Sequence, residues 1–98
     1  FSSDRRLKTN LSHLTEPLAK VNQLNGYDFT WIKDGREDVG VMAQEVEAVL
    51  PKVVFTNGEG FKRVDYSKIV PLLIESIKEL STQVNDLQAQ VTALQAWI

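Results

Sequence analysis

The sequence predicts an α+β fold, a small domain of short helices and β-hairpins that runs into one long C-terminal helix. Three observations carry this. Aromatic residues alternate at Tyr27, Phe29 and Trp31, turn signals stand at Asp34-Gly35 and between residues 56 and 60, and apolar residues recur at spacings of four and three from Leu73 to Ile98. Ninety-eight residues, 43% hydrophobic and 24% charged, can bury one modest core, because small chains bury a smaller fraction of their surface on folding. The expected division is a compact α+β region over residues 1–70 and a coiled-coil helix over 71–98, together forming one functional domain. So small a compact part lies where self-association commonly adds stability.

Residues 1–10 are polar and cationic, with Arg5, Arg6 and Lys8 close together, and predict an extended or looped segment. Leu14, Leu18, Val21 and Leu24 then recur at helical spacing. They predict a short helix over 16–24, with Thr15 or Ser12 as cap and Pro17 in the first turn, where its missing N–H does least harm. Asn25-Gly26 ends it. The alternation at Tyr27, Phe29 and Trp31 predicts a strand with one aromatic face, expected to join the core rather than form a binding surface. Across Asp34-Gly35, residues 39–42 read as its hairpin partner. Val46, Val49 and Leu50 share one face of a helix over 43–50, which Pro51 stops. Residues 53–55 and 61–64 flank a glycine-containing turn and predict a second hairpin.

Asp65 is a good N-cap for a helix opening at Tyr66. Pro71 contradicts an unbroken helix from there, so the long helix is expected to begin at about this residue. Beyond it the stripe is a heptad repeat, with Ile77, Val84, Val91 and Ile98 at a and Leu73, Leu80, Leu87 and Leu94 at d. Such a narrow seam suits a coiled coil better than an amphipathic helix lying on the chain's own core. In the parallel-coil rules, β-branched a with leucine d leans toward two strands. The flanking e and g positions, Ser76, Ser81, Gln83, Gln88, Gln90 and Gln95, carry no charges to select a partner.

A formal net charge of -2 without a Lys/Arg block argues against nucleic acid as partner, since that interaction requires clustered cations. There is no cysteine, and His13 is the single histidine, so no metal site or cofactor is expected. The apolar runs fall far short of the roughly 20 residues that span a bilayer. The chain reads as soluble, with no membrane partner.

Ser3 and Lys8 place a hydroxyl and an amine five residues apart in the N-terminal segment. A lysine serves as general base toward a serine only when burial or nearby cations make its neutral form accessible, and Arg5 and Arg6 are the cationic neighbours at hand. Taken alone, such a pair is a common feature of solvated loops. The run Ser3-Asp4-Arg5-Arg6-Leu7-Lys8-Thr9-Asn10, however, resembles the opening signature of the intramolecular chaperone auto-processing family, peptidase S74, found in phage endosialidases, tailspikes and tail fibres. A second block, Asp38 through Glu47 followed by Leu50-Pro51 and Val54, is similar to the family's central motif. Val64-Asp65-Tyr66, Ile69-Val70 and Leu73-Ile74 match its approach to the long helix, so the likeness covers residues 3–80.

The resemblance implies that Ser3 is the nucleophile and Lys8 its partner in a Ser-Lys dyad that cuts its own chain between Ser2 and Ser3. Asp4 and His13 are candidates for assisting roles, Asp4 by capping a turn or orienting Lys8 and His13 as a proton carrier. It also implies a homotrimer, against the dimer-leaning coil rules. The domain would template folding of an upstream fibre or tailspike in the host cytoplasm and then release itself, leaving the parent protein in the virion tail for host attachment. The alternative is a structural trimerisation module that leaves its bond intact.

Overall fold

The computed structural model describes residues 2–97; Phe1 and Ile98, the last expected a position, lie outside them. The N-terminal segment is not extended throughout. It contains a single 3-10 turn, Arg5–Leu7, which Asp4 caps by accepting a hydrogen bond from the Arg6 N–H. Helix α1 (Pro17–Val21) is shorter than expected. Residues 23 and 24 continue it only as tighter turns, Gln23 N–H donating to Lys20 O and Leu24 N–H to Val21 O. Neither Ser12 nor Thr15 caps α1. Glu16 enters it in the left-handed region (φ 49°), Pro17 takes the first turn, and the Leu18 N–H donates to the Glu79 carboxylate of the long helix at 3.0 Å.

Strand β1 (Tyr27–Thr30) pairs antiparallel with β2 (Glu37–Gly40), Tyr27 opposite Gly40 and Thr30 opposite Glu37. The second strand thus lies earlier than the expected 39–42. Pairing continues into the turn, where Trp31 N–H donates to Arg36 O at 2.8 Å and Gly35, at φ 72°, donates to Trp31 O at 2.9 Å. Val41 and Met42 instead lead into α2 (Ala43–Val49), and after the 3-10 turn Pro51–Val53 comes a second antiparallel pair, β3 (Val54–Thr56) with β4 (Lys62–Val64). Asp65 caps a further 3-10 turn, Tyr66–Ile69, accepting from Ser67 N–H at 3.1 Å, and α3 (Val70–Gln95) follows. Pro71 therefore sits in the first turn of α3, where its missing N–H does least harm.

The core among the described residues is small: Val46, Leu50, Val53, Ile69 and Leu72, with Leu14, Val21, Leu24, Val41 and Val64 packed around it. Trp31 and Tyr27, expected inside, are outside it. A two-stranded hairpin has no layer above its aromatic face, so that face covers itself: Phe29 and Trp31 meet edge to face at 5.0 Å, and the Arg36 guanidinium lies over the indole. Two other contacts hold the hairpins to α2. Glu45 accepts from Tyr27 Oη at 2.8 Å and Asn25 Nδ2 at 3.1 Å, and Lys62 donates to Glu47 at 2.9 Å.

Helix α3 uses its surface twice. Ile69, just before it, and Leu72 and Ser76 within it are buried against the body, with Glu79 next along the same line. The a/d stripe points elsewhere, and from Leu73 to Leu94 its residues are between 42% and 67% exposed. Only the first turns of α3 lie on the chain's own core. The radius of gyration is accordingly 18.9 Å, against about 13 Å for a compact chain of roughly 100 residues.

The first hairpin packs closely on the approach to α3 at Gly40, where a Cβ would fall 2.6 Å from Tyr66 Oη. That hydroxyl accepts from the Val41 N–H at 3.1 Å. Gly40→Ala is expected to cost about 1–3 kcal/mol by overpacking. In thermal unfolding at fixed chain concentration, Gly40→Ala combined with Tyr66→Phe should lose less than the sum of the two single changes, since removing the hydroxyl relieves the clash; strict additivity would refute the contact.

Candidate functional site

The 3-10 turn Arg5–Leu7 folds the N-terminal segment back on itself. Leu7 N–H donates to Asp4 O and Lys8 N–H to Arg5 O, both at 3.1 Å, so the residues flanking the turn come side by side. As a result the Lys8 ammonium donates a hydrogen bond to Ser3 Oγ at 2.9 Å. That separation is within proton-transfer reach. The present direction is lysine to serine; with a neutral amine the same contact would run the other way and draw the proton from the hydroxyl. Both residues are exposed in the single chain.

Asp4 does not reach Lys8. Its carboxylate accepts from the Arg6 backbone N–H at 2.9 Å and holds the Arg6 side chain through Nη2 at 2.8 Å and Nε at 3.1 Å. These bonds, the guanidinium foremost, keep the Asp4 carboxyl below its ordinary range. Asp4 thus shapes the turn, and the charge of Arg6 is spent on it. His13 lines the same surface hollow as Lys8 but bonds elsewhere. Its Nδ1 pairs with the Glu75 carboxylate of α3, which the Lys78 ammonium also approaches at 3.4 Å. The histidine, followed by Lys78, holds Glu75 below the usual carboxylate range.

Sequence reasoning missed Glu75 and Glu79. They lie one helical turn apart on α3, beside the seam and not in it, and each takes hold of the N-terminal half, Glu75 at His13 and Glu79 at the Leu18 N–H. A signal was present. Ile69, Leu72, Ser76 and Glu79 follow a spacing of three and four offset from the a/d stripe, a second face that the heptad repeat draws attention away from. Among the described residues no three His, Cys, Asp or Glu side chains converge as metal ligands would, and no helix is long and apolar enough to cross a membrane.

A family model described as chaperone of endosialidase, peptidase S74, matches residues 3–55, which starts on the serine of the Ser3–Lys8 contact and takes in the tie from Tyr27 and Asn25 to Glu45. The chain belongs to this family. Similar proteins include the long tail fiber protein Gp37 of Salmonella phage S16, 33% identical over 104 residues, covering 95% of this chain and 14% of that protein. Gp37 of Enterobacteria phage K3 is 33% identical over 98 residues, covering 91% of this chain and 8% of that protein. For Gp37 of Enterobacteria phage M1 the figures are 31% over 96 residues, 88% and 38%. The chain therefore spans well under half the length of the curated relatives it matches.

In this member three carboxyls that shape turns or the tether are held below their ordinary range: Asp4 by Arg6, Asp65 chiefly by the Ser67 hydroxyl, and Glu75 by His13. A carboxyl whose folded pKa is depressed binds fewer protons folded than unfolded. Its stabilisation is fully present above the ordinary range of about pH 4 and is lost as pH falls through the depressed folded value. The unfolding midpoint is expected to drop on acidification below about pH 4, and Glu75→Gln should flatten that dependence. Urea titrations across the acid range measure both; an unchanged slope in Glu75→Gln would contradict the assignment.

Proposed function

We propose that this domain is an intramolecular chaperone for a phage tail fibre, assembling as a homotrimer through residues 71–98 while residues 1–70 form the compact auto-processing region, and that it releases itself by cutting before Ser3. The observation that carries the catalytic part is the 2.9 Å contact from Lys8 Nζ to Ser3 Oγ in a segment with the family's signature. The assembly part is supported by the bare seam of Leu73, Ile77, Leu80, Val84, Leu87, Val91 and Leu94, with Ile98 beyond the described residues. The similarity to long tail fiber proteins supports the fibre role and, with it, a parent protein in the virion tail.

Three copies joined along α3 would bring three upstream chain ends together, replacing a three-body encounter with a local one at high effective concentration. Removing the template afterwards makes the fibre's stability kinetic, because the released chains lose the route by which they folded. In the cut itself, Ser3 Oγ attacks the carbonyl carbon of Ser2. A C–O bond forms, the C–N bond between Ser2 and Ser3 breaks, and the hydroxyl proton passes through a neutral Lys8 amine to the leaving nitrogen. Water then hydrolyses the ester, leaving a carboxylate on Ser2 and regenerating the Ser3 hydroxyl. The contact between Lys8 and Ser3 lies within one chain, which favours this intramolecular route. In the single chain both residues are solvated, so assembly has to provide the burial that favours a neutral amine.

Intact mass of a chain extended upstream tests the chemistry. Wild type should appear as two fragments split between Ser2 and Ser3, Ser3→Ala should remain whole while still trimeric, and Lys8→Arg should also remain whole, because a guanidinium stays protonated at any usable pH. Cleavage by Ser3→Ala at the wild-type site and rate would show the nucleophile misassigned. An uncut wild-type trimer would leave a structural trimerisation module in place of a peptidase.

A further inference from the structure

The segment that carries Ser3 and Lys8 has few attachments to the rest of the molecule. From residue 2 to residue 13 every described side chain is exposed, and the backbone bonds of this stretch close only its own 3-10 turn. The side-chain hydrogen bond that leaves this stretch for the body is the one from His13 to Glu75. Its two ends differ: the His13 side chain is 83% exposed, whereas Glu75 is only 16% exposed and is held in place on α3 with Lys78 beside it. One turn on, Glu79 accepts from the Leu18 N–H at 3.0 Å and fixes the start of α1. Between these two points Leu14 packs on the core.

We propose that His13 is a positioning residue: paired with Glu75, it tethers the Ser3–Lys8 arm to α3 and thereby ties the placement of the cutting site to the helix that assembles. The inference rests on the cleavage reading above and deepens it. Both carboxylates lie on the side of α3 that faces the body, so the tether and the seam can be occupied together. An arm held at residue 13 and again at Leu14 has its reach set relative to the helix axis. Without the hydrogen bond between His13 and Glu75 its first firm anchor moves to Leu14, and the dyad sweeps a larger volume. Misplacement on the scale of 1 Å can cost a reaction about 100-fold. His13 here acts through its contact with Glu75, and it carries no proton in the reaction.

The test uses the upstream-extended chain in three forms, wild type, His13→Ala and His13→Lys, with cleavage followed by intact mass, oligomeric state by sedimentation, and arm mobility by NMR order parameters for residues 9–13. His13→Ala should stay trimeric, cut about 10- to 100-fold more slowly, and show lowered order parameters. His13→Lys, which offers Glu75 an N–H donor without an imidazole, should recover both the rate and the order. A His13→Ala chain that cuts at the wild-type rate would overturn the proposal. So would a His13→Lys chain as slow as His13→Ala, which would make the imidazole itself a proton carrier. Should wild type not cut at all, the cleavage reading fails by itself, and the tether is then judged on the order parameters: unchanged values in His13→Ala would overturn it.

Discussion

An apolar stripe that the chain cannot cover by itself is the constraint around which this molecule is built. Helix α3 commits its first turns to the body through Leu72 and Ser76, and the stripe from Leu73 to Leu94 is left uncovered. With five buried hydrophobic residues among those described, the body has little apolar burial of its own to spare. A core of that size gives marginal stability at best. Association along α3 would enlarge the core and bring chain ends together in the same step, and on the proposed function folding, assembly and templating would then have one physical origin.

The other devices serve to fix α3 against the body. Asp65 caps the 3-10 turn that delivers Pro71 to a harmless position, Tyr66 reaches across Gly40 to take the Val41 N–H, and Glu79 caps α1. Each is an exposed or half-exposed hydrogen bond of modest worth. Their value lies in direction: together they join separate parts of the compact region to a single helix.

Much of this was legible in the sequence. The heptad from Leu73 to Leu94 is visible because its period is strict over several turns, and the two hairpins are marked by turn residues that few other structures require. The Ser3–Lys8 proximity was expected from family likeness alone; spacing could not show that a 3-10 turn would close it, since i→i+3 turns leave no apolar period to read. What escaped were the long-range polar contacts. His13 was considered with the dyad because it is near in sequence, yet it pairs 62 residues away with Glu75. Tyr27 and Trp31 looked like core because alternation reports that one face is apolar and says nothing about whether another layer covers it.

The central claim is that the chemistry at Ser3 depends on the seam of α3. Replacing Leu80 and Leu87 with aspartate in an upstream-extended chain puts unpaired charges in that seam without touching the arm, the dyad or the tether. Sedimentation equilibrium and intact mass on the same sample then decide the matter. The account predicts a monomer whose bond between Ser2 and Ser3 is intact; a monomer cut there at the wild-type rate would contradict it.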